Sequence, residues 1–140
     1  MIRRADSRDA GQSLVEFAIL IPVLLVIVIG IFEFGRAWNI DQVLTNAARE
    51  GARLAVIQTS SLGDVQTVVS NRLVEAGLDP TLGVMTVDGI GDGYGTPASV
   101  TITYPYQFTF LGPIISFLGD GSETVPGSIT LDTTIVMRNE

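Results

Sequence analysis

From Phe17 to Phe32 the chain carries no charged residue, only Phe, Ala, Ile, Leu, Pro, Val and Gly. With Leu14 and Val15 this stretch approaches the roughly 20 residues that cross a bilayer. An acid bounds it at each end, Glu16 and Glu33. Beyond Glu33 the pattern turns amphipathic. Ala37, Ile40, Leu44, Ala47, Gly51 and Leu54 recur at alternating steps of three and four, a heptad-like seam. Asn39, Asp41, Gln42, Thr45, Asn46, Arg49, Glu50 and Arg53 fall on the other side. Glu33 and Arg36, and Glu50 and Arg53, are spaced to pair weakly. The periodicity predicts one helix from Gln12 to Gln58, a rod of roughly 70 Å. Residues 12–33 form its transmembrane part and 34–59 its outer amphipathic half. Pro22 removes one hydrogen bond inside the apolar part and predicts a kink there, which membrane helices tolerate.

Residues 60–140 read as one small α+β domain. Ser60, Ser61 and Gly63 end the rod. Asp64 is a candidate N-cap for a second helix from Val65 to Ala76, closed by Gly77 and the turn Asp79-Pro80. Leu82 to Val87 predicts a first strand, and the glycine-dense 89–95 a loop. Ala98 to Tyr104 alternates, with Val100, Ile102 and Tyr104 on one face. Tyr106 to Phe110 continues it after a break at Pro105. Ser128 to Met137 alternates again, with Ile129, Leu131, Thr133, Ile135 and Met137 in phase. Short links between successive strands predict a three-stranded antiparallel meander packed on the helices. Gly112-Pro113-Ile114-Ile115-Ser116-Phe117-Leu118 is an apolar run in a loop position, a candidate contact surface.

Charge divides the chain. In residues 1–53 six arginines balance six acids, while 54–140 hold two arginines and nine acids, so the net −7 sits on the outer part. Such a surface repels nucleic acid and anionic head groups. Arg3, Arg4 and Arg8 precede the apolar stretch, and the positive-inside rule puts residues 1–11 in the cytoplasm and the acidic domain outside. The chain has no cysteine and no histidine, which removes disulfides, thiolate sites and the usual neutral-pH acid/base. Asp88-Gly89-Ile90-Gly91-Asp92-Gly93 lacks the alternating acids and later Glu of a calcium loop and reads as a turn. No nucleophile–base pair, phosphate loop or supported carboxylate pair is present. The expectation is a protein that is not an enzyme and has no cofactor, metal or small-molecule substrate.

Glu16 stands apart from this pattern. A carboxylate at the lip of an apolar segment costs on the order of 3 kcal/mol or more without a partner. A cleaved secretory signal does not account for the segment, since Glu33-Phe34-Gly35-Arg36 follows it in place of a small-x-small site.

Four blocks in order resemble TadE-like minor pseudopilins of the tight-adherence (Flp, type IVc) pilus system. They are Gly11-Gln12-Ser13-Leu14-Val15-Glu16-Phe17-Ala18, Pro22-Val23-Leu24-Leu25, Glu33-Phe34-Gly35-Arg36-Ala37 and Asn46-Ala47-Ala48-Arg49-Glu50-Gly51-Ala52-Arg53. The resemblance spans about residues 11–57. It implies a pilin-like fold and a prepilin peptidase that cuts between Gly11 and Gln12, removing 1–11 as a leader. The mature chain would then carry Glu16 fifth, with Phe17 next. It implies a part in assembling or priming an adhesive pilus, with other pilins and pseudopilins as partners. It also implies a single-pass location in the cytoplasmic (inner) membrane, in contact with lipid. Gly11, lacking a side chain, suits an extended passage through a protease cleft. Glu16 can attract the freed ammonium of Gln12, on its own chain or a neighbour's, and the two charges then cancel. The alternative is an uncut single-pass anchor that serves as a scaffold or binding protein.

Overall fold

The computed structural model describes residues 7–113 and 128–139. Arg3, Arg4 and the 114–118 part of the apolar loop lie outside them. A single helix, α1 (Ser7–Ala55), runs unbroken through Pro22. It is followed by α2 (Leu62–Glu75), one 3-10 turn (Pro80–Leu82) and three strands, β1 (Val84–Asp88), β2 (Pro97–Gln107) and β3 (Ser128–Arg138). The strands pair antiparallel in the order β1-β2-β3, the expected meander. α1 packs against β2, β3 and α2. Ala98, Val100, Ile102, Tyr104 and Tyr106 bury the inner face of β2 beneath the helices, and the outer face is dominated by threonine. There Thr101 meets Thr134 and Thr103 donates to Asp132, so polar pairs finish the face that water sees. The α+β class read from the sequence is the one observed.

Only the outer half of α1 is buried by the rest of the chain. Ala37, Ile40, Leu44, Ala47 and Gly51 form the expected seam, but Leu54 is only half-buried. Ala48, Ala52 and Ala55, absent from that seam, are fully buried. The reason is geometric: α1 lies against both the sheet and α2, so it buries a wider arc than one heptad stripe supplies. Small side chains let all three neighbours approach closely. The tightest point is Gly51, where an added Cβ would lie 2.7 Å from Val69 Cγ2. Val69 is itself buried and β-branched, so it cannot swing aside. Gly51→Ala gains about 1 kcal/mol of helix propensity and meets an overpacking cost of about 1–3 kcal/mol. A net loss of about 1 kcal/mol is expected, read as a lower urea midpoint of the detergent-solubilised chain.

α2 begins earlier than the sequence pattern suggested. Ser61, not Asp64, is the N-cap, and Asp64 occupies the third helical position of a capping box. The Asp64 N–H donates to Ser61 Oγ at 3.3 Å, while Asp64 Oδ2 accepts from the Ser61 hydroxyl at 2.7 Å and its N–H at 2.9 Å. Those bonds, the hydroxyl first, hold the Asp64 carboxyl below the usual aspartate range. A depressed carboxyl stabilises the fold above its unfolded pKa, and that contribution fades as pH falls through the folded one. Ser61→Ala removes the cap and should therefore lower stability near neutral pH and flatten its loss with acid, measured by denaturation across pH. The helix closes with Gly77 at φ 75°, its N–H on Val74 O and the Leu78 N–H on Leu73 O, each 2.9 Å.

Two strand boundaries also differ from expectation. Leu82 belongs to the 3-10 turn, capped by Asp79 Oδ1 accepting from the Thr81 N–H at 2.9 Å, so β1 starts at Val84. Pro105 does not break β2. It lies past Thr103, where the pairing with β1 ends, so β2 has a ladder on one side only and a missing N–H is tolerated. The glycine-rich loop after β1 is fastened by Asn139, whose amide donates to Gly89 O, Asp92 O and Thr96 Oγ1 at 2.9–3.0 Å.

Candidate processing and assembly site

The first half of α1 has no cover. Phe17, Leu24 and Phe32 are 64%, 60% and 75% exposed, and the apolar residues between them are similar. α1 thus contains one stretch long and apolar enough to cross a membrane, and the rest of the chain buries none of it. Apolar surface on this scale is removed from water by lipid or by other apolar helices.

The Gly11–Gln12 bond lies within this helix, between the fifth and sixth residues counted from Ser7. It is not in the extended form that a protease cleft needs, so cutting requires the first turns to unwind. Gly11 lowers the cost of that opening, because glycine is about 0.5–1 kcal/mol less stable than alanine inside a helix. Nothing lies within 4 Å of where a Gly11 Cβ would stand. Among the described residues no contact requires glycine there, and Gly30 and Gly35 are equally open.

Gln12 and Glu16 are one turn apart and share a face. The Gln12 side-chain amide donates to Glu16 Oε1 at 3.0 Å. The Gln12 backbone nitrogen is a peptide nitrogen within the helix, so the side-chain amide is the donor that reaches Glu16. Phe17 is exposed beside them, and Pro22 lies further along the same uninterrupted helix.

A second carboxylate joins the two halves of the molecule. Glu33 is not an open interfacial acid but is 3% exposed, and Arg36 acts on it only as a nearby charge, less than its hydrogen-bond donors do. Its Oε1 accepts from the Phe110 N–H at 2.7 Å and its Oε2 from the Tyr106 hydroxyl at 3.0 Å. Both donors come from β2 and the residues just after it. Burial, then the Glu33 oxygen as acceptor and its charge, push the Tyr106 hydroxyl above its ordinary pKa. Edge-on rings flank the site, Tyr106 against Phe108 at 5.3 Å and Phe34 against Phe108 at 6.0 Å. The sheet is thereby clipped to α1 at the point where the helix loses its cover. The sequence held a signal for this: Glu33 is four residues before Ala37, on the seam, and Tyr106 continues the buried phase of Ala98 to Tyr104.

Glu50 also has a different partner from the one its spacing suggested. It faces Arg72 of α2 at 3.7 Å, and Arg72 also pairs with Glu75 at 2.9 Å. These groups are about half exposed, so the pairs contribute little to stability.

The arrangement defines a class: a membrane-capable helix that continues without a break into the core of a small α+β domain. Residues 11–53 match the family model described as TadE-like protein, so over that segment the chain is similar to this family. The match begins at Gly11 and takes in Gln12, Glu16, Pro22 and Glu33. Comparisons with curated proteins and with solved structures found no match.

Proposed function

We propose that the chain is a minor pseudopilin that helps assemble or prime a tight-adherence (Flp, type IVc) adhesive pilus. The observation that carries this reading is the TadE-like match, which starts at Gly11 and covers the apolar helix together with its outer extension. In this reading a prepilin peptidase cuts between Gly11 and Gln12. The freed ammonium of Gln12 then lies one turn from Glu16, on the face where the uncut chain already has the Gln12 amide. The uncovered half of α1 crosses the inner membrane with residues 1–11 in the cytoplasm, and it can pass from lipid into a bundle of like helices.

The role is structural, not catalytic. Among the described residues, ionisable groups that the fold brings together act as caps or pairs, such as Asp64 with Ser61, Asp79 with Thr81, Glu33 with Tyr106, and Arg72 with Glu50 and Glu75.

Fractionation of cells that make the pilus tests the reading. The chain is expected in the inner membrane and, at low abundance, among sheared pili. It should disappear from the sheared material when the peptidase is deleted. A chain found only in membranes, whether or not the peptidase is present, would favour the uncut scaffold instead.

A further inference from the structure

Four aromatic side chains crowd the place where α1 meets the foot of the sheet. Phe32, Phe34 and Trp38 come from α1 and Phe110 from the residues after β2. They are 75%, 62%, 70% and 61% exposed. The bond from the Phe110 N–H to Glu33 brings the two parts of the chain level. At about 100° per residue, Phe34 and Trp38 point about 160° and about 120° away from Phe32. The group is therefore a girdle and not a stripe. A partner helix covers a stripe, whereas lipid surrounds a rod on every side.

Ile29, Phe32, Glu33, Arg36 and Phe110 line an open groove of about 520 Å³ at this level. Both Glu33 oxygens are engaged by Phe110 and Tyr106. Arg36 forms no ion pair among the described residues. It acts as a nearby charge on Glu33 and Tyr106 without bonding to either, and its side chain is exposed, so the guanidinium can still reach a phosphate. The lengths agree as well. With the Glu33 charge engaged by the domain, the lipid-compatible surface extends past Phe32. Phe17 to Arg36 is about 20 residues, or roughly 30 Å, the thickness of a hydrocarbon core. Trp38 then falls about 3 Å further out, in the layer where tryptophan concentrates.

We propose that the foot of the outer domain is a lipid-contact surface. Phe34 and Phe110 seat at the edge of the hydrocarbon core and Trp38 in the head-group layer just above it, with Arg36 on a phospholipid phosphate. This rests on the reading that α1 spans a membrane. The contacts of the foot then fix the height of the domain above the bilayer.

Trp38 is the chain's only tryptophan, so its fluorescence reports the foot directly. The full chain is reconstituted in phosphatidylcholine and phosphatidylglycerol vesicles brominated either near the head group or deep in the acyl chain. Flotation confirms insertion. Trp38 should be quenched several-fold more by the shallow bromines than by the deep ones and be shielded from aqueous acrylamide. Tyr94 is 85% exposed in the loop at the other end of the sheet. A tryptophan moved there, by Tyr94→Trp with Trp38→Phe, should show the reverse: acrylamide quenches it and lipid does not. Arg36→Gln should still float but lose at least half of the shallow quenching. A chain that floats while Trp38 responds only to acrylamide, or most to deep bromines, overturns the proposal and leaves the membrane reading standing. Loss of both lipid quenching and acrylamide access would put a protein on the foot, and also overturns it. A chain that does not float defeats both.

Discussion

Glu33→Ala is expected to unclip the sheet from α1 and to cost about 2–4 kcal/mol. The change leaves the Phe110 N–H and the Tyr106 hydroxyl without their acceptor, and an unmade buried hydrogen bond costs about 1–3 kcal/mol. Water can reach the Phe110 end, which is only partly buried, so the loss falls short of two full penalties. Two milder variants apportion it. Tyr106→Phe removes one donor and leaves Glu33 Oε2 without it, while Oε1 keeps the Phe110 N–H, and should cost about 1–2 kcal/mol. Glu33→Gln keeps one acceptor oxygen but brings two new N–H groups into a site whose two facing groups both donate, so it should fall between the others. Hydrogen exchange at the Phe110 amide and urea denaturation are the readouts. In a double-mutant cycle, Glu33→Ala with Tyr106→Phe should cost clearly less than the sum of the two singles. Full additivity would mean that the 3.0 Å contact between them contributes nothing.

Glu16→Ala carries the largest expected effect on function. Cutting after Gly11 should continue, because Glu16 is more than one turn beyond the bond. Entry into the pilus should fall about a hundredfold, since an unpaired charge in an apolar setting is worth about 3 kcal/mol and each 1.4 kcal/mol is tenfold. Here the variant removes the acid and leaves the ammonium of Gln12 unpaired. Sheared pili probed for the chain provide the measurement. Glu16→Gln separates two explanations. The Gln12 side-chain amide could still donate to a glutamine oxygen, but charge could not be cancelled. Normal incorporation of Glu16→Gln would therefore assign the effect to that hydrogen bond, and normal incorporation of Glu16→Ala would remove the role of Glu16 altogether.

Periodicity carried most of the fold. The alternation through Val100, Ile102 and Tyr104, and through Ile129, Leu131 and Ile135, marks the inner face of the sheet because a pleat offers only two sides. The seam from Ala37 to Gly51 marks the packed face of α1 for the corresponding helical reason. Ala48, Ala52 and Ala55 were not legible, because alanine is neutral to patterning and only the presence of α2 decides that a second row is covered. Ser61 and Asp64 are both good capping residues, and the choice between them depends on backbone angles that composition does not report. Glu33 was misread for a physical reason. A charge signals solvent unless its acceptors are met, and the donors that meet it are 73 and 77 positions away. The candidate site was legible as a motif and not as a geometry. Gly11, Gln12, Glu16 and Phe17 stand out by residue type and order, but their helical setting and the amide from Gln12 to Glu16 are features of the folded chain.

The account turns on a cut after Gly11 that lets Gln12 present its own ammonium to Glu16. The direct measurement is the intact mass and N-terminal sequence of the chain from cells with an active prepilin peptidase and from cells without one. The expected result is a chain starting at Gln12 in the first and a longer chain retaining Gly11 in the second. A chain that retains Gly11 in both would contradict the account.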